Sequence, residues 1–297
     1  MVQKRGLKNN WPKIIIGIFL VSYALFCILP MLLTLMVSIS EEDAVRANGY
    51  RFWPTEFSLY AYQLVFRPGS LVLRSYLVSI FVTLAGTSMA VTITTMGAYL
   101  LANKNVRYRD GLSLFFFITM VFSTGIVPWY LICRALGLNN NIWALIIPSL
   151  VFSPFNMFLV RNYMRRLPDE LLECAIIDGA SDARIAFTIY IPLSIPVVAT
   201  ITLFYGLGYW NSWFNAIMLV DDRSMYPLQF ILMQIQSQIR LITELQRSYG
   251  QSTINVTPPT ETVKMATAVV TIGPIVLLYP FLQRYFVKGL IVGSVKG

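Results

Sequence analysis

The residues able to do chemistry in this sequence concentrate in one polar run, Arg161 to Arg184, which reads RNYMRRLPDELLECAIIDGASDAR. Pro168 suits a first helical position, Asp169, Glu170 and Glu173 suit the positive N-terminal end of a helix, and Asp178-Gly179 is a stop signal. The run therefore predicts a helix of about three turns outside any bilayer. Its apolar positions Leu172, Ala175 and Ile176 follow i, i+3, i+4 spacing and form one stripe flanked by acids. Such a helix can rest on lipid headgroups, but one that lies on an anionic membrane face is normally basic, so a groove on a protein partner fits better.

Elsewhere the means for catalysis are sparse. The chain has no histidine, and Cys27, Cys133 and Cys174 are far apart with no C-x-x-C pair. Zinc, haem and Cys/His nucleophile chemistry therefore lack a ligand set or a catalytic pair. No G-x-x-x-x-G-K-[ST] phosphate cradle occurs, since the terminal GLIVGSVK misplaces Lys296. No catalytic residue, bound metal or cofactor of its own is expected.

The elements that must position the polar run are apolar. Of 297 residues, 56% are hydrophobic and 12% charged, against roughly 25% charged in soluble domains. Mean hydropathy is +0.64, which points to an all-α polytopic membrane protein. Six segments meet or approach the length needed to cross a bilayer: Ile14 to Ser38, Ser75 to Leu101, Leu112 to Cys133, Asn141 to Val160, Ala186 to Leu219 and Met265 to Tyr285. The fifth is too long for one crossing and is expected to include an approach segment and an interfacial end. The first follows a basic stretch, as a signal peptide would, but its apolar run is too long for one and predicts a retained helix.

With the N-terminus inside, the inner segments hold 14 Lys or Arg in 62 residues and the outer ones 9 in 88. That asymmetry predicts cytoplasmic termini. It also assigns the net charge of +9 to loops rather than to nucleic-acid binding. The expected organisation is a cytoplasmic segment 1–13 and a single six-helix domain 14–297, with an inner loop 161–185, outer loops 39–74 and 220–264, and a cytoplasmic tail 286–297. No Asp, Glu, Lys or Arg lies near the middle of a span and no inverted repeat is visible, which disfavours an ion-coupled carrier. A membrane-embedded enzyme is disfavoured because the spans hold no catalytic set.

Glu173-Cys174-Ala175, three residues, Gly179, nine residues, then Ile189-x-Ile191-Pro192 resembles the EAA motif, EAA-x3-G-x9-IxLP, of binding-protein-dependent ABC importer permeases. Cys174 stands where that family usually has Ala, and Ile191 where it usually has Leu. The longer string ECAIIDGASDARIAFTIYIPLSIPVV and the tail from Phe281 are similar to the maltose-type, MalG-like permeases of oligosaccharide import. The resemblance implies that 161–185 carries a cytoplasmic coupling helix docking on an ATPase subunit, with Glu173, Ala175, Asp178, Gly179 and Ala180 as contacts. It also implies a second contact through Gly293, Val295, Lys296 and Gly297. The implied partners are two ATPase subunits that bind ATP and Mg, a second permease forming a heterodimer, an extracytoplasmic binding protein, its oligosaccharide and membrane lipid, all at a bacterial cell membrane. A non-sugar solute is the alternative cargo.

Tyr205, Tyr209 and Trp213 recur at i, i+4, i+8, with Asn211, Trp210, Phe214 and Asn215 nearby. Aromatic faces and neutral hydrogen-bonding groups suit a sugar pathway, whereas the same residues also suit an aromatic belt at the membrane interface. The outer loops, which include Glu41, Glu42, Asp43 and Arg46 and an amphipathic stretch from Leu228 to Ile242, are long enough to meet a binding protein.

Overall fold

The computed structural model describes residues 11–67, 69–122, 124–148, 150–249, 261–274 and 276. Among them the structure is helical, with one isolated antiparallel bridge between Ser40 and Phe57. The chain forms two units, residues 1–67 with 235–270 and residues 68–234 with 271–297.

The first unit contains α1 (Trp11–Ser38), α2 (Glu42–Asn48) and α3 (Tyr60–Val65). Nearly every residue of α1 is exposed, Phe26 by 72%. This is the surface of a helix solvated by lipid rather than water. A hydrogen bond of 2.8 Å between the Ser38 and Tyr62 hydroxyls ties the end of α1 to α3.

The second unit is built on α4 (Leu71–Ala102), followed by α5 (Arg109–Val121), α6 (Ile126–Ala135), α7 (Trp143–Ile146), α8 (Pro154–Met164), α9 (Glu170–Ile177) and α10 (Asp182–Ile185). A π-helical stretch Ala186–Tyr190 leads into α11 (Ile191–Leu193), α12 (Ile195–Trp210) and α13 (Phe214–Leu219). Helix α14 (Leu228–Tyr249) then passes from this unit into the first, and residues 261–274 form a further helix. Helix α4 buries Ser75, Ser79, Val82, Gly86, Ala90, Thr94 and Ala98. Their spacing of three or four makes one narrow face of mostly small residues, which lets neighbouring helices approach closely. Helix α12 answers with Val197, Ile201, Tyr205 and Tyr209, four apart and buried. At Gly86 a Cβ would lie 2.5 Å from the Tyr209 ring, so the absence of a side chain there admits the tyrosine.

The prolines Pro30, Pro128, Pro148, Pro154, Pro192, Pro196, Pro274 and Pro280 lead to the expectation of kinked spans. Among the described residues only α1, with 28 residues, and α4, with 32, are long and apolar enough to cross alone, and the described spans number up to four if each bent pair is one. The third expected span, Leu112 to Cys133, divides into α5 and α6, bent by 117°. The chain leaves α5 extended at Phe122 and enters α6 through Gly125 at φ +80°, a left-handed conformation natural to glycine. The fifth divides at Ser194, where Asp182–Leu193 and Ile195–Trp210 are bent by 82°. Pro196 has no N–H to return to the carbonyl of Pro192, so the helix loses a rung at that point. The fourth, Asn141 to Val160, is not one helix: α7 ends at Ile146 and α8 restarts at Pro154, with the Ser153 hydroxyl accepting from the Asn156 N–H. Of the sixth, 265–274 and 276 are helical and 277–285 lies outside the described residues.

Candidate functional site

The loop 161–185 folds on its own base. Helix α9 turns Leu172 and Ala175 inward, where they join the buried cluster that includes Ile185, Ala186, Tyr190 and Tyr99. Its end is closed by two backbone bonds, from the Gly179 N–H to the Ile176 carbonyl and from the Ala180 N–H to the Ala175 carbonyl, each 3.0 Å. This paired pattern needs a left-handed residue at the first position past the helix. Gly179 has φ +71°. Two residues later the Ser181 hydroxyl accepts from the Arg184 N–H and starts α10.

Helix α4 anchors this base. The Tyr99 hydroxyl donates to the Asp182 carbonyl at 3.2 Å, the Tyr99 and Tyr190 rings meet edge to face at 5.3 Å, and an Arg165 Nη2–H donates to the Leu101 carbonyl at 3.1 Å. Lys104 pairs with Asp169, but both side chains are more than half exposed, so that pair adds little.

The expected apolar stripe is therefore divided: Leu172 and Ala175 are buried within this chain, while Ile176 is 48% and Ile177 83% exposed. The available face carries Glu170, Glu173, Cys174, Ile177, Asp178 and Gly179. Of the five expected contacts, Glu173, Asp178 and Gly179 are exposed, Ala180 is half-buried and Ala175 is covered. Nothing in the sequence separates Ile177 from its neighbour Ile176, since both are isoleucine. The tail positions Gly293, Val295, Lys296 and Gly297 lie outside the described residues.

The aromatic set is split as well. Tyr205 and Tyr209 are buried, at 3% and 1%. The Tyr205 hydroxyl lies 2.6 Å from the Thr94 hydroxyl and accepts from the Ser153 N–H at 3.1 Å. Tyr209 donates to the Ile146 carbonyl at 2.9 Å, and Asn215 Nδ2 donates to the Pro148 carbonyl at 3.0 Å. These three side chains satisfy backbone groups released where the fourth span breaks, as apolar surroundings require. Asn211 and Trp213 are exposed, and the Asn211 amide donates back to the Leu207 carbonyl.

A polar constellation in the first unit was not legible as such. Glu42, at the start of α2, receives the N–H groups of Glu261 and Thr262 at 3.1 and 3.0 Å and the Thr262 hydroxyl at 2.8 Å, and Arg46 Nε donates to it at 3.0 Å. It caps a helix more than 200 residues away. Burial alone would raise its pKa, but the bonds from Thr262, Glu261 and Arg46 outweigh that and hold it below the usual carboxylate value. Tyr50 donates to the Glu261 carboxylate at 2.7 Å, and burial together with that acid pushes the phenol up to about 12.

The profile of the family described as "Binding-protein-dependent transport system inner membrane component" matches residues 90–292, two thirds of the chain. The chain belongs to this family. The permease is 37% identical over 291 residues to the polygalacturonan/rhamnogalacturonan transport system permease protein YtcP of Bacillus subtilis, covering 98% of this chain and 100% of that one. It is 38% identical over 280 residues to LplC of the same organism, covering 94% and 93%. Among solved structures it is similar to a chain of a bacterial ABC transporter involved in import of the acidic polysaccharide alginate, with a TM-score of 0.82 at 30% identity, covering 96% of this chain and 100% of that one. It is thus a membrane permease component of a sugar-type ABC transporter, and its matched region contains the whole 161–185 loop.

Proposed function

We propose that this permease forms half of the translocation pathway of an ATP-driven importer, moving an oligosaccharide delivered by an extracytoplasmic binding protein into a bacterial cell. The family match supports import, and the saccharides named for YtcP and for the alginate transporter favour a uronate-containing cargo. Both termini and the 161–185 loop face the cytoplasm. Two ATPase subunits bind ATP and Mg and dock on that loop, while a second permease completes the heterodimer and lipid surrounds the spans. The tail Gly293 to Gly297 makes a second ATPase contact. Trp213 and Asn211 are the exposed members of the aromatic set and the ones open to a saccharide, with Tyr205 and Tyr209 bracing them from within the subunit.

One observation carries the coupling role: α9 presents Glu170, Glu173 and Ile177 on a free face while its opposite face is seated on the chain's own core. A helix held in this way acts as a rigid lever, and closure of the ATPase pair would move its base with it. Gly179 keeps the lever's end intact, since a Cβ there would meet nothing within 4 Å yet φ is +71°. Gly179→Val should therefore disrupt the turn through backbone strain of about 1–2 kcal/mol, and Gly179→Asn should be milder.

Affinity purification in mild detergent tests the proposal. Recovery of an ATPase and a second permease with the wild type, with the ATPase reduced for Gly179→Val and retained for Gly179→Asn, is the expected result. A chain that purifies alone yet transports on an ion gradient would overturn it. Uptake of labelled oligogalacturonide that is blocked by unlabelled acidic but not neutral oligosaccharide would support the uronate cargo, and the reverse pattern would exclude it.

A further inference from the structure

Helices α5 and α8 run antiparallel, since Ser113 meets Arg161 at one end and the Phe116 and Phe152 rings meet at 5.2 Å further along. Where α5 begins and α8 ends, a groove of about 380 Å³ opens between them, lined by Ser113, Leu114, Phe117, Phe158, Arg161 and Asn162. The Arg161 guanidinium lies over the Phe158 ring at 4.6 Å. Its Nη1 donates to the Ser113 hydroxyl at 3.1 Å, and Nε and Nη2 donate to Asn162 Oδ1 at 3.4 and 3.2 Å.

These neutral acceptors orient the guanidinium without cancelling its charge. Three of its five N–H donors are engaged, and none of the ion pairs among the described residues includes Arg161. Asp110, on the same end of α5, is paired with Arg109. The groove walls, by contrast, are hydrocarbon: Leu114 is 59% and Phe117 51% exposed, and both belong to the apolar run of α5. The groove therefore joins a cation that no carboxylate among the described residues contacts, with only the exposed Asp110 near enough to attract it, at the charged ends of two helices, to an open apolar slot.

We propose that this groove is a binding site for an anionic phospholipid, with the headgroup phosphate on the two N–H groups that Arg161 has left, the Ser113 hydroxyl proton being given to the Arg109 carbonyl at 2.7 Å, and an acyl chain along Leu114 and Phe117. A fixed cation between helices at headgroup level is the chemistry that selects anionic over zwitterionic lipid, and guanidinium suits phosphate in particular. A free phosphate ion would use the cation but leave the apolar slot without an occupant.

The test is native mass spectrometry of the assembled transporter, stripped of lipid in nonionic detergent and titrated with phosphatidylglycerol, phosphatidylcholine of matched chains, or inorganic phosphate. Phosphatidylglycerol should be retained in preference to phosphatidylcholine. Arg161→Gln should weaken that retention about fivefold, the worth of one basic residue at an anionic lipid surface, and Arg161→Lys, which keeps the charge and the assembled complex, should preserve most of it. Equal retention of the two lipids, or retention unchanged in Arg161→Gln, would overturn the site. Displacement of phosphatidylglycerol by inorganic phosphate would reduce it to a phosphate site, and cross-linking of Phe117→Cys to the second permease would show a subunit interface in its place.

Discussion

Replacing Glu42 by Ala should loosen the start of the helix at 261–274 without touching the helix itself. The first N–H groups of a helix have no partner within it, and here those of Glu261 and Thr262 are received by the Glu42 carboxylate. A side-chain cap is worth about 1 kcal/mol, and a full negative charge at the positive end of a helix adds about another. The sum of about 2 kcal/mol corresponds to roughly a 30-fold increase in local opening. Hydrogen exchange of the assembled transporter reads this directly, because the two amides have Glu42 as their acceptor. They should exchange about 30-fold faster in Glu42→Ala, with α12 unaffected. The carboxylate's pKa is lowered in the folded state. Its contribution is therefore present in full above the ordinary carboxylate value and is lost as pH falls through the lowered one. Protection of 261–262 relative to α12 should decline in that acid window in the wild type and show no such window in Glu42→Gln. Exchange at 261–262 unchanged in Glu42→Ala at neutral pH would refute the cap.

Gly86→Ala should destabilise the second unit by about 2 kcal/mol through overpacking, because the added Cβ falls 2.5 Å from the Tyr209 ring. Thermal melting of the detergent-solubilised complex checks this, and an unchanged midpoint would show that the ring can withdraw. Tyr209→Phe should cost about 1–2 kcal/mol by leaving the buried Ile146 carbonyl without its donor, read by the same melt. Oligosaccharide affinity should not change, since the hydroxyl is engaged inside the subunit.

The sequence was most legible where one rule acts locally. Composition and apolar length announce a helical membrane protein, and the acid-rich first turn and Asp178-Gly179 stop announce α9 through short-range backbone chemistry, although α9 starts at Glu170, two residues past the expected Pro168 start, and has eight residues rather than three turns. The prolines of the third, fourth and fifth spans announce kinks, but not how far each helix breaks. A hydropathy window counts Pro148, Pro154 and Pro196 among apolar neighbours, whereas the backbone responds to their missing N–H groups and to what can replace them. The replacements come from Tyr205, Tyr209 and Asn215, whose partners lie 52 to 67 residues away. A tyrosine at helical spacing looks alike whether it faces a sugar, a headgroup or a broken backbone. The inward turn of Ala175 and the pairing of Glu42 with 261–262 likewise depend on tertiary contacts that no local pattern carries.

The anchoring of the loop bears on where movement can be taken up. Helix α9 ends in paired backbone bonds, α10 starts with a side-chain cap, and Tyr99 fastens the joint to α4. Force applied at Ile177 has no weak point within 161–185 and must pass to α11 and α12. Beyond the π-helical stretch Ala186–Tyr190 it meets the 82° bend at Ser194. Ser194 is fully buried, yet among the described residues its hydroxyl has no hydrogen-bond partner. The bend is thus held by the prolines beside it and by packing, not by the serine side chain. A buried hydroxyl without a partner carries a desolvation cost of about 1 kcal/mol or more, so Ser194→Ala should raise the melting temperature of the complex. Pro196→Ala, which frees φ at the start of α12 and returns an N–H with which a continuous helix could form across Ser194, should stiffen the bend and lower ATP-driven uptake. A stability loss in Ser194→Ala would mean that the hydroxyl holds the bend through a bond, and uptake unchanged in Pro196→Ala would place the compliance elsewhere.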